Sequence, residues 1–228
     1  MAAIAAIIFL HGSGDTGPGV KSYLAHVAGG RLLKAAKQHG IAMHFPSATP
    51  RPYRLAGGST MSVWFDRYAL EPSAPEHTES VEASCAQLDA LVDSVVATGV
   101  PASRIAIGGF SMGGGIALQC MLRSPHRSFA ACFALSSFLC DEAAVYRRIG
   151  PSAVPIFMRH GDADDFILSA WGQATATKLT SHALDVDFAT VPGLAHELGD
   201  DEINELTDWL LPKLLQVPAK EPVGRDEL

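Results

Sequence analysis

The sequence has 228 residues, 48% hydrophobic and 18% charged, with a net charge of -7 at pH 7. That length and composition suit one globular domain over residues 1–228 and exclude a disordered or low-complexity chain. Acids are scattered and no Lys/Arg cluster occurs, so neither nucleic acid nor an anionic membrane surface is expected as a partner. No apolar stretch reaches the ~20 residues of a membrane span, which leaves no stable insertion.

The first ten residues are apolar but carry no basic leader or cleavage site, so Ile4–Leu10 reads as a buried strand. Val20–His39 has helical spacing and stops at Gly40, and Ile41–Phe45 is a second strand. Residues Pro46 to Pro75, rich in Pro, Gly and Ser, read as a long loop over the sheet edge that holds Trp64-Phe65-Asp66. A helix over Thr78–Ala97 begins where Thr78, Glu79 and Glu82 meet the positive dipole end, and stops at Gly99. Strands then fall at Arg104–Gly108, Phe129–Leu135, Val154–Arg159 and Val186–Val191. Helices fall at Met112–Arg123, Asp141–Ile149, Ser169–Ala183 and Asp200–Leu214, and residues from about 216 to 228 form a flexible tail. Such alternation predicts an α/β fold: a mostly parallel central sheet flanked by helices on both faces. Its ligand site lies outside the carboxyl ends of the strands. Cys85, Cys120, Cys132 and Cys140 sit in apolar segments without CxxC spacing, so reduced thiols and a cytoplasmic location are expected. The terminal Arg225-Asp226-Glu227-Leu228 is close to a lumenal retention signal; without a leader it reads as coincidence.

Strand Arg104–Gly108 feeds Gly109-Phe110-Ser111-Met112-Gly113, and Gly114 opens a helix. This is GxSxG in the strand-turn-helix context that holds a nucleophilic serine on a tight turn. A serine hydroxyl needs a neutral imidazole in reach and an acid to orient it. The acid should follow a later strand, where Asp162, Asp164 and Asp165 compete; Asp164 is taken as the acid and Asp162 as a residue capping the turn. Only His182 and His196 lie beyond. His182 falls near a helix end, whereas His196 follows the last strand in Pro192-Gly193-Leu194-Ala195-His196 and is taken as the base. Oxyanion donors are expected from the backbone amides of Met112, at a helix N-terminus, and of Ser13 in the loop from His11 to Gly17. No metal or cofactor is required.

With these residues the chain resembles the acyl-protein thioesterase and lysophospholipase-like family of cytosolic carboxylesterases, from Ile7 to about Leu215. The resemblance lies in Phe9-Leu10-His11-Gly12 through Gly17, Trp64-Phe65-Asp66, Gly108 to Gly114, Leu135-Ser136, His160-Gly161-Asp162-Ala163-Asp164 and the His196 loop. It implies an α/β-hydrolase fold without a lid domain, a Ser111, Asp164, His196 triad, and a small acyl ester or thioester, or an acylated protein, as substrate. It also implies an acyl site walled by Trp64, Phe65, Phe138 and Leu139. Thioesterases of the main branch carry Gln where Met112 stands, Leu where Ser13 stands, and Trp-Leu-Pro where this chain has Phe138-Leu139-Cys140. Those departures turn the expectation from long acyl chains toward short ones.

Overall fold

The computed structural model describes residues 3–124 and 126–215. The expected tail from about 216 and the terminal Arg225–Leu228 lie outside the described residues. Six strands form one sheet: β1 (Ala5–Leu10), β2 (Ile41–His44), β5 (Ile105–Phe110), β6 (Ala131–Leu135), β7 (Ile156–Gly161) and β8 (Val186–Val191). They lie side by side in the order β2-β1-β5-β6-β7-β8, every pair parallel. The order reverses direction beside β1, where β5 takes the side opposite β2; this is the kind of edge at which open α/β sheets hold ligands.

Alternation along β1 shows why the sheet is buried on both faces. Ala6, Ile8 and Leu10 join one core cluster while Ala5, Ile7 and Phe9 join the other. On the first face pack α3 (Thr78–Ala97), α4 (Met112–Arg123) and α5 (Ser169–Ser181), through residues such as Leu88, Ile116 and Leu179. On the second pack α1 (Gly17–Leu24), α2 (Arg31–Gln38) and α6 (Asp200–Leu215), through Leu24, Leu32 and Leu206. The edge strand β8 is half-exposed, and Arg159 of β7 covers its flank by pairing with Asp187 at 3.0 Å and Glu205 of α6 at 2.7 Å.

Four local expectations are corrected. The single helix expected over Val20–His39 is broken into α1 and α2, because Ala28, Gly29 and Gly30 take left-handed φ values of 49°, 59° and 72°. Asp141–Ile149 holds only one 3-10 turn, Ala144–Arg147. The loop from Pro46 to Pro75 contains a short antiparallel hairpin, β3 (Pro50–Pro52) with β4 (Thr60–Ser62). At α3 the capping residue is His77, whose side chain accepts from the Ser80 amide, and Thr78 is already helical.

Candidate active site

Ser111 sits between β5 and α4 with φ 53° and ψ -124°, a left-handed conformation that costs a non-glycine residue about 1–3 kcal/mol. Its own amide donates to Leu135 O of the neighbouring strand at 2.8 Å, holding the turn in place. The flanking glycines are dictated by close approach to β1. A Cβ on Gly109 or on Gly113 would lie 2.3 Å from Leu10 O, so a side chain at either would push helix and strand apart.

Three loops at the carboxyl ends of β5, β7 and β8 bring Ser111, Asp164 and His196 together. His196 Nε2 is 3.0 Å from Ser111 Oγ, and His196 Nδ1 is 2.7 Å from Asp164 Oδ2. A neutral imidazole protonated at Nδ1 satisfies both contacts, leaving Nε2 to accept the serine proton. Asp164 is buried, and its other oxygen accepts from the amides of Phe166 at 3.1 Å and Ile167 at 2.8 Å. The imidazole lies between the rings of Phe110 and Phe166, with centroids at 4.8 and 5.1 Å. A second histidine, His160, donates from Nε2 to Ile167 O at 2.7 Å and lies 3.3 Å from Asp164 Oδ2. Burial lowers its pKa, with the hydrogen bond to Ile167 and the charge of Asp164 opposing the shift.

Asp162 caps, but across loops: its Oδ1 accepts from the Gly193 amide at 2.6 Å. With Ala163 N donating to Leu194 O at 3.1 Å, this binds the Asp164 loop to the His196 loop. The contact is close enough that a Cβ on Gly161 would meet Leu194 O at 2.0 Å. His182 lies at the end of α5 and stacks on Tyr146, away from these residues.

Met112 N and Ser13 N have no acceptor among the turn, loop and cap contacts of the described residues, and both residues line the same cavity as Ser111. The Ser13 loop is braced from below. His11, fully buried, contacts Gly12 O through Nδ1 at 2.7 Å and accepts from Ala48 N through Nε2 at 3.0 Å, while burial lowers its pKa. Trp64 Nε1 donates to His11 O at 2.9 Å.

The cavity measures about 440 Å³, at the small end of ligand pockets. Of the four residues expected to wall it, Phe138 does so. Trp64, Phe65 and Leu139 do not reach it: Trp64 is fully buried under the Ser13 loop, Phe65 lies under the Arg67 guanidinium, and Leu139 is packed in the core with its amide on Thr175 Oγ1. An aromatic in a loop beside a glycine-rich turn serves equally well as a brace and as a wall, which composition does not distinguish. In their place the lining uses Tyr53, Met61, Arg67, Leu70 and Phe166, none of which a sequence motif singles out. A shallower cleft of about 260 Å³ meets the cavity at Ser111 and is lined by Gly12, Asp15, Phe110 and His196. Among the described residues no cluster of His, Cys, Asp and Glu is arranged to hold a metal, and no helix is long and apolar enough to cross a membrane.

Residues 2–212 match the Phospholipase/Carboxylesterase family. The chain is 41% identical to lysophospholipase-like protein 1 of Mus musculus over 213 residues, covering 92% of this chain and 87% of that one. It is 33% identical to acyl-protein thioesterase 1 of Neurospora crassa, covering 95% and 89%. The fold superimposes on the crystal structure of Arabidopsis thaliana SOBER1 with a TM-score of 0.81 at 26% identity, over 92% of this chain and 99% of that one.

Proposed function

The chain belongs to the Phospholipase/Carboxylesterase family of α/β hydrolases and is a serine hydrolase, and on that premise we propose that it cleaves short acyl esters or thioesters through an acyl-enzyme on Ser111. The observation that carries the reading is the unbroken chain of contacts from Ser111 Oγ through His196 to buried Asp164, at 3.0 and 2.7 Å, ending on a serine in a strained turn.

Ser111 attacks the acyl carbonyl as His196 Nε2 takes its proton, and Asp164 orients the resulting imidazolium and balances its charge. The oxyanion forms against the amides of Met112 and Ser13, each worth about 3 kcal/mol in a preorganised site. The carbonyl carbon's bond to oxygen or sulfur breaks, and His196 returns the proton to the departing alcohol or thiol. Water, deprotonated by His196, then releases the acid. No step needs a metal or cofactor. The relatives' names place acyl-proteins and lysophospholipids among the substrate classes to test, and the free thiols of Cys85, Cys120, Cys132 and Cys140 suit a reducing, cytoplasmic setting.

A fluorophosphonate probe tests the assignment. Folded protein should be labelled on Ser111, and S111A should lose both labelling and ester hydrolysis. Folded wild-type protein that takes no label at Ser111 would overturn the reading in favour of an inactive, ligand-binding α/β hydrolase.

A further inference from the structure

Arg67 is buried, only 7% exposed, and its place is unusual for a cation. Among the described residues no carboxylate lies within 4.0 Å of its guanidinium and no side-chain hydrogen bond from it is made. What it has instead are two rings, Phe65 at 4.7 Å and Phe138 at 4.6 Å, which hold the guanidinium between them. Ring faces offset part of the cost of a desolvated cation but accept none of its five N–H groups. Glu76 faces Arg67 across an isolated antiparallel bridge and acts on it electrostatically but forms no ion pair with it, so the guanidinium keeps its forked donors for an anion at the cavity wall. Among the described residues Arg67 is the sole charged one lining the cavity that holds Ser111. A second polar group there is also unmatched: Ser136 Oγ is buried without a hydrogen-bond partner, on a residue held at φ 46°.

The side of Ser111 on which Arg67 stands decides which part of the substrate it meets. His196 lines the shallow cleft and does not line the cavity, and His196 must reach the leaving oxygen or sulfur to protonate it. The leaving group therefore occupies the cleft. The acyl chain occupies the cavity, which of the two is the one lined by Met112 and Arg67, while Ser13, Ser111 and Phe166 line both.

We infer that the acyl chain this enzyme accepts ends in a carboxylate, received by Arg67, so that the substrates are monoesters or monothioesters of short dicarboxylic acids. The inference rests on the acyl-enzyme reading above. A carboxylate matches the planar guanidinium fork, and a lone cation without other cationic residues suits a monoanion better than a phosphate dianion. Arg67 is largely buried and stacked against two rings at the cavity wall, so the incoming anion meets a guanidinium already held in position.

The test compares acyl chains identical but for their ends: 4-nitrophenyl hydrogen glutarate and adipate against 4-nitrophenyl pentanoate and hexanoate, with the 6-aminohexanoate ester as the cationic arm. The wild-type enzyme should favour the carboxylate-ended ester in kcat/KM by roughly ten- to a hundredfold, the range of a charge-assisted hydrogen bond, and disfavour the ammonium-ended one. R67M should bring the carboxylate-to-methyl ratio down to near one, and R67K should retain part of it. Glutaramate should likewise protect Ser111 from the fluorophosphonate at lower concentration than pentanamide does, a readout independent of turnover. Equal or better use of the neutral esters by wild-type protein, or equal protection by the two amides, would overturn the inference and leave Arg67 as a brace between two rings. Because these are ratios in wild-type protein, they stand even where R67M fails to fold. Failure of the acyl-enzyme reading is seen separately, as absence of any Ser111 labelling.

Discussion

Glu202 is the residue at which stability should depend most visibly on pH. It lies in the first turn of α6, fully buried, with neither carboxyl oxygen in a hydrogen bond among the described residues. Burial pushes its pKa from 4.5 up to about 8, with Arg159 and the Gly199 backbone only partly opposing the shift. The folded state thus holds this proton more tightly than the unfolded chain does. Stability falls as pH rises from about 4.5 toward about 8, at up to about 1.4 kcal/mol per pH unit, and is independent of this group outside that window. E202Q removes the titration. Urea unfolding should show the variant more stable than wild type at pH 8 and nearly equal at pH 4; parallel curves at both pH values would contradict the assignment. Nothing in the sequence marks Glu202 for this, since an acid in a first helical turn reads as a dipole partner facing water. Arg67 was invisible for the same reason. A charge is legible in a sequence, whereas its removal from water depends on which elements close over it.

At the level of elements, what places His196 is the fastening of the β8 loop to the β7 loop. Asp162 is exposed, so its hydrogen bond to Gly193 N contributes little to global stability. It does fix where His196 stands. D162A should shift the melting temperature by no more than about 2–3 °C while lowering kcat and the rate of Ser111 labelling by about tenfold, because a misplacement near 1 Å at a reacting group is costly. A variant with full activity would show that the loop is held elsewhere. That Ser111, Asp164 and His196 meet at one end of the sheet could be read from the sequence because each follows an apolar run that ends in a turn-forming segment. Helices α3 and α4 were legible in extent, since Gly99 marks the end of α3 and the glycine-rich turn at Ser111 marks the start of α4, although the α3 cap is His77 and not Thr78. The break between α1 and α2 was not, although Gly29-Gly30 announced it: apolar spacing continues on both sides of the turn and masks the change of direction. The β3–β4 hairpin escaped because Pro50 and Pro52 cannot donate to a ladder, and two three-residue strands carry too little alternation to register.

For the whole molecule, the sheet edge and the segment from Tyr53 to Leu70 together enclose the cavity. The segment supplies Tyr53, Leu55, Ala56, Met61, Arg67 and Leu70; the sheet edge supplies Ser111, Ser136, Phe138 and Ile167. A space of about 440 Å³ whose wall includes the Arg67 guanidinium and the Phe138 ring limits acyl length. Among plain 4-nitrophenyl esters, acetate through hexanoate should be hydrolysed at least about tenfold faster than decanoate or palmitate. A profile that rises with chain length would place the acyl group outside this cavity. The meeting of cavity and cleft at Ser111 also bears on who receives the acyl group. In the acyl-enzyme proposed above, with the acyl chain in the cavity, the cleft beside His196 would stand open to solvent once the alcohol has left, and the acceptor would be whatever diffuses in. On that mechanism, small alcohols at high concentration should compete with water and receive the acyl group, measured as ester formed beside free acid.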